Sequence, residues 1–127
     1  MHFLCLCYYD AERFAALAPA DLEAIGPACR PHDAALRATG KLRVQGSLAL
    51  PEAWRTVRPR GGGPSIAHGP HTRSALQAGA FFIVEAHDMD EALSVATKHA
   101  AAHVGEDLGF AVEVRACDTI EWSPPAA

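Results

Sequence analysis

Apolar positions fall into two kinds of pattern along this chain: near-continuous runs of strand length, and stripes at helical spacing. Residues 2–9 place Phe3, Cys5, Cys7 and Tyr9 on one face of a strand and His2, Leu4, Leu6 and Tyr8 on the other. Both faces are largely apolar, which predicts a central strand covered on both sides. Residues 79–86 repeat the pattern, with Ala80, Phe82 and Val84 opposed to Phe81 and Ile83. A strand over 41–48 points Leu42, Val44 and Leu48 inward, and one over 110–117 points Phe110, Val112, Val114 and Ala116 inward, with Glu113 and Arg115 toward solvent. Residues 54–58 and 65–67 read as a hairpin around the turn Arg60-Gly61-Gly62-Gly63-Pro64, with a loop over 69–75 after it.

Two stripes have helical period. Pro19, Asp21 and Glu23 suit a helix start. Leu22, Ile25, Cys29, His32 and Leu36 then follow at spacings of three and four, up to Gly40. Pro27 and Pro31 each remove a helix hydrogen bond, so a kink or a break near Pro27 is expected. Asp10-Ala11-Glu12 is expected only to lead out of the first strand. Asp88 and Glu91 form a capping box for a second helix, whose buried stripe is Met89, Ala92, Leu93, Ala96 and Ala100. Gly105 and Gly109 bracket its exit.

The order is strand, helix, strand, hairpin, strand, helix, strand. It predicts an α+β sandwich with both helices on one face of the sheet. The other face of the two central strands is still apolar, and burying it is worth about 25 cal/mol per Å². A symmetric homodimer is the simplest cover. The 127 residues make one domain, expected over 1–117, with a proline-rich tail over 118–127 in which Trp122 docks on the body or on a partner subunit.

Composition narrows the function classes. Half the residues are apolar and a fifth charged, as in globular proteins. A net charge of -4 argues against nucleic acid, although Arg55, Arg58, Arg60 and Arg73 cluster. No segment reaches membrane-spanning length, and the apolar start lacks a basic leader, so no membrane partner and a cytoplasmic location are expected. Cys5 and Cys7 share one strand face and cannot readily bond to each other, and Cys29 and Cys117 sit in apolar patterns. All four read as reduced core residues.

The chain resembles the YCII-related family, in its DGPF-domain branch, over residues 1–117. The resemblance rests on Phe3-Leu4-Cys5-Leu6-Cys7-Tyr8-Tyr9-Asp10, on the segment from Ala28 to Leu42, on Gly79-Ala80-Phe81-Phe82-Ile83-Val84-Glu85-Ala86 with Asp88-Met89-Asp90-Glu91-Ala92, and on Val112-Glu113-Val114-Arg115. The branch's Asp-Gly-Pro-Phe signature falls on His68-Gly69-Pro70-His71. The resemblance implies a ferredoxin-like fold, an antiparallel sheet with two helices on one face, paired into a dimeric α/β barrel. It implies small-molecule enzymes using a histidine and an acid, of lyase, isomerase or dehalogenating type. The alternative is a non-catalytic regulatory module associated with an extracytoplasmic-function sigma factor.

Candidate chemistry gathers on histidines. His32 shares an apolar helix stripe, and an imidazole there can act as general acid or base. Asp10, just past the first strand, is the expected orienting acid, while Asp33 points elsewhere on the helix. His68 and His71 flank the rigid Gly69-Pro70 corner. The reading makes His32, Asp10 and His68 catalytic. It gives Tyr9, His71, Arg73 and Ser74 the binding of a small polar or anionic ligand. His68, His71, His99 and His103 make a metal set only on paper, since no carboxylate completes it. His99 and His103 are placed at the carboxyl end of the second helix, and neither a metal nor a cofactor is expected.

Overall fold

β1 (His2–Asp10) is the strand around which the sheet is built. The computed structural model describes residues 1–126. After β1 come α1 (Ala11–Ala15), α2 (Pro19–Ala38), β2 (Leu42–Ser47), β3 (Arg55–Arg60), β4 (Gly63–His68), β5 (Leu76–Glu85), α3 (Met89–Ala96) and β6 (Ala111–Ala116). The four-stranded sheet runs in the order β2-β5-β1-β6, and β3 and β4 form a separate two-stranded sheet. All pairings in the main sheet are antiparallel. The units β1-α2-β2 and β5-α3-β6 interleave their strands, consistent with a ferredoxin-like fold. No helix among the described residues is long and apolar enough to cross a membrane.

The alternation expected of β1 is present: Phe3, Cys5, Cys7 and Tyr9 are buried. Phe3 lies opposite Val84 and Cys5 opposite Phe82 on β5, with Val114 and Val112 of β6 on the other flank. Leu36 of α2 and Ala92, Val95 and Ala96 of α3 close this core from above. Each fully buried large side chain contributes roughly 1.5–3 kcal/mol, so Phe3, Phe82, Leu36 and Val84 dominate it. On the opposite face Leu4 pairs with Ile83 and Leu6 with Phe81, all half-buried. Glu113 and Arg115 lie beside them on β6, bonded to each other. The ring of Phe81 lies over Gly46, where a Cβ would come within 2.8 Å of it.

Several features differ from the sequence reading. Val44 and Leu48, expected inward on the second strand, are exposed at the sheet edge, as is Leu22 of the α2 stripe. Asp10 does not merely lead out of the sheet; it caps a third helix, α1. Of the kink or break expected near Pro27, the break is absent, since α2 is one element through Pro27 and Pro31. The prolines sit four residues apart on the exposed side, where water can take the freed carbonyls and the helix can bow. α3 stops at Ala96 rather than continuing to Ala100, and its buried residues are Ala92, Val95 and Ala96, with Met89 and Leu93 exposed. The β3–β4 hairpin is longer than expected, because its turn needs only Gly61 and Gly62, at φ 61° and 86°. In the tail, the Trp122 ring meets His2 edge-on at 5.8 Å yet stays 64% exposed.

Candidate functional site

Past the end of α3 the chain extends at His99 (φ -68°, ψ 145°) before a single 3-10 turn, Ala100–Ala102. This turns the imidazole inward. The ring lies flat on Phe82, with centroids 4.8 Å apart and planes 2° from parallel. The Ala101 N–H donates to Nδ1 at 3.0 Å. Cys7 Sγ lies 3.7 Å from Nε2. Since Nδ1 accepts a hydrogen, the proton of the neutral ring sits on Nε2. Burial pushes His99 below the ordinary imidazole range; nearby Asp33 opposes this, and His32 adds to it. Protonating Nδ1 would also set two N–H groups against each other. His99 is therefore a neutral ring whose Nε2–H faces Cys7 Sγ, a weak acceptor.

Two hollows meet at His99 and Ala80. The first, about 200 Å³, runs under α2 between Cys7, Tyr9, Phe14, Cys29 and Phe110. The second, about 250 Å³, opens at the edge strand β2 and is lined by Asp33, Gln45 and Ser47 with Phe81. Asp33 has no ion-pair partner among the described residues. Tyr9 packs its ring against Gly79, where a Cβ would approach within 2.9 Å, and meets Phe14 edge-on at 5.4 Å. Burial pushes the Tyr9 phenol up, and Glu52 adds to the rise. Burial likewise raises Cys5 and Cys7 to about 12. Cys29 is raised by burial and then by Asp33. The thiols of the wall keep their protons and act as packing rather than as nucleophiles.

Of the residues singled out from sequence, Tyr9 lines the first hollow. His32 is half-buried on α2 and stacks on His103, centroids 4.5 Å and planes 9° apart. His103 is itself held by a hydrogen bond between its Nε2 and the Thr97 carbonyl. Asp10 Oδ1 accepts from the amides of Glu12 and Arg13 at 3.1 Å each, and Oδ2 faces Arg13 Nε at 3.5 Å. It makes no hydrogen bond or ion pair with His32 among the described residues. His68 ends β4 opposite Arg55 and is exposed. The Gly69-Pro70 corner closes the root of the hairpin: Gly69, at φ 87°, donates to the Trp54 carbonyl at 2.8 Å and accepts from Thr56 Oγ1 at 2.8 Å. His71, Arg73 and Ser74 are exposed, and Ser74 Oγ accepts from the Leu76 amide at 3.3 Å. His68, His71, Arg73 and Ser74 line neither hollow.

The sequence reading passed over His99 as a cleft residue and set Asp33 aside. One signal for Asp33 was available: Cys29 and Asp33 are four apart, which puts both on the inner side of α2. Among the described residues no group of three or more His, Cys, Asp or Glu side chains is placed to hold a metal ion.

Helices on one face of an antiparallel sheet, with a cleft where the two layers part, make this a two-layer α+β domain with room for a small molecule. The chain belongs to the YCII-related family, whose model, the YCII-related domain, matches residues 1–118. Among solved structures it is similar to 5-chloro-2-hydroxyhydroquinone dehydrochlorinase from Burkholderia phenoliruptrix AC1100, determined in complex with 2,5-dihydroxybenzoquinone. The identity is 22% over 93% of this chain and 94% of that chain, with a TM-score of 0.48. No curated protein matches the chain.

Proposed function

We propose that this chain is an enzyme that binds a small organic molecule in the cleft and holds one of its oxygens at the His99 Nε2–H. The observation that carries this is the bond from the Ala101 amide to Nδ1, made by a ring already clamped on Phe82. Together they fix the tautomer before any ligand arrives, and a ligand oxygen replaces the weak acceptor Cys7 Sγ at Nε2–H. A preorganised donor of this kind stabilises negative charge as it develops on an oxygen. A neutral imidazole of lowered pKa polarises a substrate carbonyl in known isomerases. A donor so placed suits a reaction in which negative charge builds on a carbonyl or phenolic oxygen.

The same reading places two copies face to face through Leu4, Leu6, Phe81 and Ile83, closing a dimeric α/β barrel. Its support is the half-buried apolar face that α2 and α3 leave uncovered. His68-Gly69-Pro70-His71 then stands as the altered signature of the DGPF branch.

The test is a screen of small carbonyl compounds and phenols, read by ¹⁵N NMR of the imidazole nitrogens. Hits are expected to shift His99 Nε2 and to bind His99→Phe at least about tenfold more weakly, the scale of one hydrogen bond left unmade. Hits that bind the variant equally well overturn the reading.

A further inference from the structure

The formal charge that lines the cleft has one sign. Apart from His99, Asp33 is the single ionisable acid or base with a formal charge lining either hollow. Its field reaches both, since it pushes up His99 on one side and Cys29 on the other. A second carboxylate, Glu52, bears on the wall at Tyr9. Neither has a lysine or arginine within ion-pairing distance among the described residues. A partly enclosed hollow with uncompensated negative charge concentrates cations and repels anions. His68, His71 and Arg73, on which the expectation of an anionic ligand rested, lie elsewhere.

The shape divides the work. The first hollow is walled by Tyr9, Phe14 and Phe110 and holds about 200 Å³; a cavity of roughly 150 Å³ accepts a benzene ring. The second offers a carboxylate, an amide and a hydroxyl at Asp33, Gln45 and Ser47. An ammonium group carries three donors and no acceptor, and these three side chains supply three acceptors.

We infer that the ligand is a cation: a primary or secondary ammonium on an apolar, ring-sized body. The ammonium lies against Asp33, Gln45 and Ser47, and the ring lies in the first hollow. This rests on the reading that His99 marks the ligand site, and it adds the ligand's charge and the group that recognises it.

The experiment compares three probes of one shape, benzylamine, benzyl alcohol and benzoate, against the full chain by NMR titration at neutral pH and low salt. Benzylamine is expected to bind about tenfold more tightly than benzyl alcohol, as a charge-assisted contact should, and benzoate more weakly than either. Asp33→Asn is expected to bring benzylamine to the level of benzyl alcohol. Asp33 makes no ion pair for the fold, and Asp33→Ser serves as a second variant. Benzoate binding as tightly as benzylamine overturns the inference while leaving the His99 site standing, provided the probes still shift the His99 signals. An ammonium preference that survives both Asp33 variants also overturns it, as it must if the carboxylate serves only as a base. Failure of all three probes to shift the His99 signals overturns the inference, while the proposed site stands or falls by the carbonyl and phenol screen.

Discussion

Replacing His99 with phenylalanine tests the central structural claim without any ligand. The imidazole is held neutral in the fold by burial, which sets its pKa below the 6.5 of an ordinary imidazole. In the unfolded chain it titrates normally. Below pH 6.5 the unfolded state therefore binds a proton that the folded state refuses. Stability rises with pH wherever the unfolded state holds more protons, so this group's contribution is fully present above 6.5 and is lost as pH falls toward the folded pKa. The loss by pH 5.5 is at most about 1.4 kcal/mol, the limit set by protonation of the unfolded ring alone.

Phenylalanine keeps the flat stack on Phe82 but cannot titrate and cannot accept from Ala101. The variant should lose about 1 kcal/mol at pH 7.5 from the broken hydrogen bond. Between pH 7.5 and 5.5 it should then lose less stability than the wild type, by up to about 1.4 kcal/mol. Urea unfolding at four pH values across that range measures both effects. The other histidines are common to the two proteins and cancel in the difference, except His32, whose charge reaches His99 and which is controlled by repeating the comparison in a His32→Gln background. Parallel stability curves down to pH 5.5 would refute the reasoning, because they would mean that His99 takes up its proton as readily in the fold as in the unfolded chain.

Three further outcomes follow from the packing. Gly79→Ala puts a methyl group within 2.9 Å of the Tyr9 ring; it should cost about 1–3 kcal/mol in urea unfolding and displace Tyr9 from the cleft wall, weakening any ligand found for the first hollow. Cys5 and Cys7 are raised from 9.0 to about 12, so the folded state keeps protons that the unfolded state releases. Their stabilisation is present below pH 9 and is lost as pH rises toward 12, at about 1.4 kcal/mol per thiol by pH 10, and Cys7→Ala should flatten that alkaline loss in a pH series of unfolding curves. Leu6→Arg places a charge in the uncovered sheet face, and light scattering should show a dimer for the wild type and a monomer for the variant; a monomeric wild type at micromolar concentration removes the barrel.

The two central strands were legible because each is a near-continuous apolar run, and the order β2-β5-β1-β6 puts both in the middle of the sheet. The cap at Asp88 was legible because it is local: its Oδ1 accepts from the Glu91 amide at 2.9 Å, three residues away. The end of α3 was not. The run Ala96-Thr97-Lys98-His99-Ala100-Ala101-Ala102 keeps helical composition, and nothing within it marks a stop. What marks the stop is tertiary: His99 leaves the helix to lie on Phe82 and beside Cys7, 92 residues away in sequence. The continuity of α2 had a similar cause, since the cost of its prolines depends on which side faces water.

The same distinction explains the site. A Gly-Pro corner announces rigidity, but rigidity does not say what the corner faces, and here it closes a hairpin. Tyr9 could be placed because strand alternation decides its face. The cleft itself arises from a mismatch of volumes between layers. Gly79, Ala80, Ala100 and Ala101 all line the first hollow, four small residues where the neighbouring core has Phe82 and Leu36. Tyr9, Phe14 and Phe110 stand around the space that the small residues leave. Close packing is the rule inside proteins, so a hollow bounded by a clamped donor and an uncompensated carboxylate departs from it in the direction that ligand sites do. Each small residue reads in sequence as a neutral filler; only their meeting across two layers, beside a ring that burial keeps uncharged, gives them a joint consequence.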